Sequence, residues 1–114
     1  MAIVTYGING QNTSISSSTP TPLVAIATYV KTGVRIKALA ANSDKIYFGF
    51  YATQAAATAS LTTGTGYELA AGQEQAIDTG ALQLQNQGGG AYGNLQYLFI
   101  LANSGTQSVC YWGV

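Results

Sequence analysis

The stretch VRIKALAANSDKIYFGFY, residues 34–51, decides the fold class. In its second half Ile46, Phe48 and Phe50 alternate with Lys45, Tyr47, Gly49 and Tyr51. A period of two over this length is the pattern of a strand with one face on a core. In its first half Val34, Ile36 and Ala38 alternate in the same way with Arg35 and Lys37. Between them lies Ala41-Asn42-Ser43-Asp44, whose short polar side chains bond nearby backbone and suit a turn. The unit therefore reads as strand, tight turn, strand. Residues 95–112, LQYLFILANSGTQSVCYW, repeat the plan and echo the turn as Ala102-Asn103-Ser104-Gly105. Two hairpins of this kind predict the ribs of a small β-sandwich, with Ile46, Phe48, Phe50, Tyr97 and Phe99 in its interior.

The remaining segments agree with an all-β chain. Residues 1–22 hold Ile3, Val4, Tyr6, Ile8 and Ile15 thinly among glycines and a Ser/Thr run ending at Pro20 and Pro22. Proline fixes its own φ and pushes the preceding residue into extended backbone, which predicts a stretched N-terminal arm. Set against ordering entropy, burial of five side chains cannot hold that arm on its own subunit, so it is expected to order against a neighbour. Residues 23–30, LVAIATYV, read as a strand. Residues 52–60 are a loop with one helical turn at most, being short and without an amphipathic stripe. Residues 67–69 and 74–77 read as two short strands around Ala70-Ala71-Gly72. Residues 78–94, centred on Gly88-Gly89-Gly90, read as a long surface loop. About six or seven short strands in this order predict a small antiparallel β-sandwich or jelly-roll-like domain over residues 23–114, preceded by the arm at 1–22.

Composition narrows the function classes. Charged residues are 7 % of the 114 and the net charge is zero, so no electrostatic term draws the chain to nucleic acid or to an anionic membrane. Lys31, Arg35, Lys37 and Lys45 precede Glu68, Glu74 and Asp78 along the chain. Two solvated faces account for this segregation, and complementarity between copies in an oligomer is the sharper alternative. One cysteine excludes an internal disulfide. The N-terminus lacks a basic leader, and no apolar run approaches the roughly eighteen residues of a membrane span. Asn12-Thr13-Ser14 matches a glycosylation sequon and is taken as chance.

The chain is poor in reactive groups. It has no histidine, and acid–base or nucleophilic chemistry needs a group that titrates near neutrality beside a partner that activates it. Cys110 has no basic neighbour in sequence and reads as a buried small hydrophobe sharing a face with Ser108 and Trp112. Glu68, Glu74 and Asp78 could pair for glycoside hydrolysis or hold Ca²⁺, but a turn with three exposed carboxylates is the simpler account. One Cys and no His exclude a zinc site. Gly88-Gly89-Gly90 lacks the following helix and lysine of a phosphate cradle. Tyr47, Tyr51, Tyr67, Tyr92, Tyr97 and Tyr111 could form a stacking platform for a glycan or a protein. No catalytic, cofactor-binding or metal residue is expected.

The succession NSDKIYFGF (42–50), TGYELAAGQE (65–74) and LQYLFILANSGTQSVCYW (95–112) resembles the small decoration, or cement, proteins on the capsids of tailed bacteriophages. The likeness is one of turn-and-strand order and covers about residues 34–112; the arm at 1–22 has no counterpart in it. The resemblance implies a non-enzymatic structural virion protein, made in the host cytoplasm and bound to the major capsid protein on the outer capsid surface. It further implies a homotrimer on local three-fold positions. The alternative is a receptor- or glycan-binding β module of a phage fibre or head fibre.

Overall fold

The computed structural model describes residues 8–82 and 92–114. Its strands are β1 (Ile8–Ser16), β2 (Thr21–Pro22), β3 (Tyr29–Val30), β4 (Gly33–Ala38), β5 (Ile46–Phe50), β6 (Tyr67–Leu69), β7 (Glu74–Asp78), β8 (Gly93–Asn94), β9 (Leu98–Ala102) and β10 (Thr106–Gly113). One helix, α1 (Gln54–Ser60), and two 3-10 turns, Thr79–Leu82 and Leu95–Tyr97, complete the described elements. Sheet A runs β1-β10-β4-β7, sheet B runs β2-β9-β5-β6, and β3 pairs with β8 in a small ladder. The expected all-β sandwich is present.

The pairing has a simple logic. Leaving β3 and β8 aside, the first strand pairs with the last (β1·β10), the second with the second-last (β2·β9), then β4 with β7 and β5 with β6. All these ladders are antiparallel. The chain is thus one long two-stranded strip, folded so that successive pairs fall alternately in sheets A and B. The contacts β10·β4 and β9·β5 then close each sheet. This is the jelly-roll wrap.

The core lies between the sheets. Ile15, Val34, Ile36, Ala38, Ile46, Phe48, Leu69, Ile77, Leu98, Ile100 and Val109 are buried there in one cluster. The alternation in β4 is clean, with Val34, Ile36 and Ala38 buried and Arg35 and Lys37 exposed. In β5 and β9 it is masked, because sheet B is covered on both faces. Its outer face packs Phe99 and Leu101 against Ala57 of α1 and Leu61, with Tyr51 alongside. The inward register expected for Ile46 and Phe48 is present, and Phe50 packs partly buried against the same core. Tyr97 is only half-buried, in a 3-10 turn before β9.

Several sequence expectations are corrected. Neither expected hairpin exists: β4 and β5 lie in different sheets, as do β9 and β10, so each Ala-Asn-Ser turn carries the chain from one sheet to the other. Alternation identifies strands and turns but not which strand pairs with which. β6 and β7 are likewise split between sheets, by a bend at Gly72, whose φ of 84° lies where glycine is favoured. Of residues 23–30 only Tyr29–Val30 is strand; Leu23 instead donates its backbone N–H to Leu98 O at 2.8 Å. Residues 54–60 form a helix of two turns, capped by Thr53 Oγ1 accepting from Ala56 N at 3.1 Å. The expected surface loop at 78–94 has built-in ends: Thr79 and Leu82 are buried, and Gly93–Asn94 is β8.

The arm boundary at residue 22 is also corrected. Residues 8–16 are the outermost strand of sheet A, paired with β10 on either side of an irregularity between Asn12 and Ile15. Ile15 is fully buried, and Thr21 and Pro22 pair with Ile100 and Phe99. The entropy comparison that kept the arm off its own subunit counted side chains alone. The edge of β10 supplies a ladder of backbone hydrogen bonds that offsets the ordering cost. Ile3, Val4 and Tyr6 lie outside the described residues, as do Gly88, Gly89 and Gly90.

Candidate binding surfaces

The two Ala-Asn-Ser turns lie side by side and are clasped. Asn42 Nδ2 donates to Ser108 O at 2.8 Å, and Ser108 N donates to Asn42 Oδ1 at 2.9 Å. Gln107 is buried; its Oε1 accepts from Ser43 N and Asp44 N, and its Nε2 donates to Ser104 O and Ser43 Oγ. Asp44 Oδ2 accepts from Ser104 Oγ at 2.6 Å and Asn103 Nδ2 at 2.9 Å, and its Oδ1 from Lys45 N at 2.8 Å. These donors, Ser104 first, lower the Asp44 pKa from 3.8 to about 2. The clasp is internally satisfied and offers a ligand nothing.

The carboxylates do not converge. Glu68, on β6, meets Lys45 at 3.3 Å and raises the Lys45 pKa through that contact. Glu74, on β7 in the other sheet, meets Arg35 at 3.2 Å. Asp78 is exposed at the far end of β7. Among the described residues no three His, Cys, Asp or Glu side chains group to hold a metal, and no helix is long and apolar enough to cross a membrane. The Arg35–Glu74 and Lys45–Glu68 pairs each join a residue from the basic stretch to one from the acidic stretch within one copy. With side chains more than a third exposed, such pairs contribute little stability.

Nor do the tyrosines form one platform. Tyr47 is buried on the outer face of sheet B, where Gly66 passes so close that a Cβ there would lie 2.7 Å from Tyr47 Cβ. Tyr51 meets Phe99 edge-on at 6.3 Å under α1. Tyr111 packs on the core over Gly10, and Tyr92 and Tyr97 are half-buried. Of these six only Tyr67 projects, 66 % exposed. Cys110 is half-buried on the outer face of sheet A rather than in the core.

Among the described residues two surfaces carry a largely exposed aromatic side chain. The first is the opening between the sheets on the side where β6 and β7 are the outermost strands. Tyr67 stacks on Phe48 with ring centroids 5.4 Å apart, and Phe48 meets Phe50 edge-on at 5.9 Å. Gln75, Ile77, Gly80 and Ala81 form the opposite wall. Tyr67 faces inward by register, opposite Phe48, yet is exposed because β6 is the outermost strand of its sheet among the described residues.

The second is the outer face of sheet A, which no helix of the described residues covers. Side chains directly opposite on neighbouring strands share a face. The register gives one row as Asn9, Trp112, Arg35 and Ala76, and the next as Gln11, Cys110, Lys37 and Glu74. Trp112 stands on an inner strand with 53 % of its surface exposed. A shallow hollow on one side of it is bounded by Asn9, Gln11, Lys37, Glu74 and Cys110. A second, on the other side, is bounded by Thr32, Ala76, Asp78 and Val114. Trp112 and Arg35 line both. The alternation Ser108, Cys110, Trp112 was visible in sequence; the signal that this face meets water was the matching alternation of Arg35 and Lys37 in the strand alongside.

No protein-family model matches the chain, and neither a curated protein nor a solved structure is significantly similar to it. What fold and surfaces define together is a small jelly-roll domain with one covered sheet face, one open sheet face and an aromatic opening at its side.

Proposed function

We propose that this protein is a non-enzymatic structural component of a phage virion, which decorates or cements the capsid by binding the major capsid protein as a homotrimer on the outer surface. The observation that carries this proposal is the aromatic opening between β6 and β7. Tyr67 is exposed there against Phe48 and Phe50, and apolar surface left at the side of a small domain marks a place where another protein packs. Aromatic side chains anchored in such a setting carry a large share of interface energy. The partner in this proposal is taken from the resemblance in strand and turn order to capsid decoration proteins.

Sedimentation with emptied capsid shells tests it. Tyr67→Ser is expected to weaken co-sedimentation by about tenfold or more, the scale of a contact worth roughly 1.4 kcal/mol. Light scattering is expected to give the mass of a trimer. A monomer that fails to co-sediment with shells at any concentration overturns the proposal.

A further inference from the structure

We propose that the outer face of sheet A binds a neutral oligosaccharide, with the Trp112 indole as its stacking platform. This surface is separate from the opening at Tyr67 and does not depend on capsid attachment. Trp112 is on an inner strand of the sheet, near the end of β10, with β1 on one side of it and β4 on the other. Residues at the same face of β10, Ser108 and Cys110, are small, and a side chain of that size would serve a face that only met water. Among the described residues no second aromatic side chain shares the face: the register adds Asn9, Gln11, Arg35, Lys37, Glu74, Ala76 and Asp78, and Val114 borders the second hollow. A protein partner would gain little from one ring in such a field, because protein contacts centre on clustered apolar anchors.

A pyranose fits it better. Each ring has an apolar C–H face, which an indole covers, and a rim of hydroxyls, which planar amides, guanidinium and carboxylate groups bond in pairs. Asn9 and Arg35 flank Trp112 in its own row, and Gln11 and Glu74 stand in the next. Arg35 and Glu74 stand 3.2 Å apart, so a hydroxyl that meets one lies within reach of the other. Arg35 and Lys37 are balanced by Glu74 and Asp78, so the face has no net charge with which to select an acidic sugar. Because Trp112 and Arg35 form a ridge between two hollows, a single ring fills one side only. Two or more linked rings straddle the ridge.

Trp112 is the single tryptophan of the chain, so intrinsic emission reports this site alone. The full chain is titrated to about 10 mM with neutral tetrasaccharides built of glucose, mannose, galactose or N-acetylglucosamine, with tetragalacturonate as the acidic control. At least one neutral sugar is expected to change the emission saturably with Kd of about 0.1–5 mM, and its monosaccharide to bind at least about fivefold more weakly. Followed by amide NMR shifts, Trp112→Ala is expected to abolish binding. Asn9→Ala and Glu74→Gln are expected to weaken it severalfold with the fold intact, and they keep the test alive if Trp112→Ala does not fold. Silence toward every neutral sugar overturns the proposal, as does tighter binding of tetragalacturonate or undiminished binding by all three variants. An emission change produced by capsid shells and by no sugar overturns it too, and assigns the face to protein contact.

Discussion

Asp44 shows how one side chain makes this topology depend on pH. Its carboxylate accepts hydrogen bonds from Ser104, Asn103 and the Lys45 backbone, so it joins the turn after β4 to the turn after β9. The folded-state pKa is depressed to about 2 from 3.8. A depressed carboxylate stabilises the fold above its unfolded value, and that stabilisation is lost as pH falls through the folded one. The window is therefore from about 4 down to 2. Thermal unfolding at pH 7, 4 and 2.5 is expected to fall more steeply in this window for the wild type than for Asp44→Asn. Parallel curves would remove Asp44 from the clasp.

At the scale of elements, the question is whether β1 belongs to the sandwich. Ile15 is fully buried although a bulge-like irregularity precedes it, because the shift re-aims the strand's inward face after Asn12. Ile15→Ala is expected to destabilise the protein by about 2–5 kcal/mol in urea denaturation, the range of a core truncation. A residue on a free arm would change stability by no more than about 0.5 kcal/mol. Phe48→Ala, from the centre of β5, is expected to cost about 3–5 kcal/mol, and it also removes the ring on which Tyr67 stacks.

For the whole molecule, the wrapped strip has a kinetic consequence. Ile8 pairs with Gly113, near the opposite end of the described chain, and β10 sits between β1 and β4 in the middle of sheet A. Sheet A is therefore incomplete until the last strand is in place. Non-local pairing of this kind requires loop closure before contacts reward it, which slows folding to the millisecond-to-second range or beyond. Stopped-flow refolding followed by Trp112 emission is expected to fall there. Deleting residues 106–114 is expected to leave a chain without a cooperative melt, since β1 and β4 then have no common neighbour. A microsecond refolding phase that completes the native signal would contradict the wrapped order.

Local chemistry by itself determined β4 and β5 and their faces. The alternation in residues 34–38 and 46–50 placed Val34, Ile36, Ile46 and Phe48 inward, and two Ala-Asn-Ser tetrapeptides marked where the chain turns. The absence of histidine and the scarcity of charge are properties of the chain in any fold. Pairing was decided only by tertiary structure, because backbone hydrogen bonds carry no side-chain label: a strand, a turn and a second strand read alike whether they form a hairpin or cross between sheets. Phe99 and Leu101 could be read as buried, but that α1 buries them was beyond the sequence, since a two-turn helix with one buried alanine has no amphipathic stripe. The same is true of both surfaces. Trp112 gains Asn9 from the first described strand and Arg35 from the early middle of the chain as neighbours, and Tyr67 is exposed because no described strand pairs beyond β6.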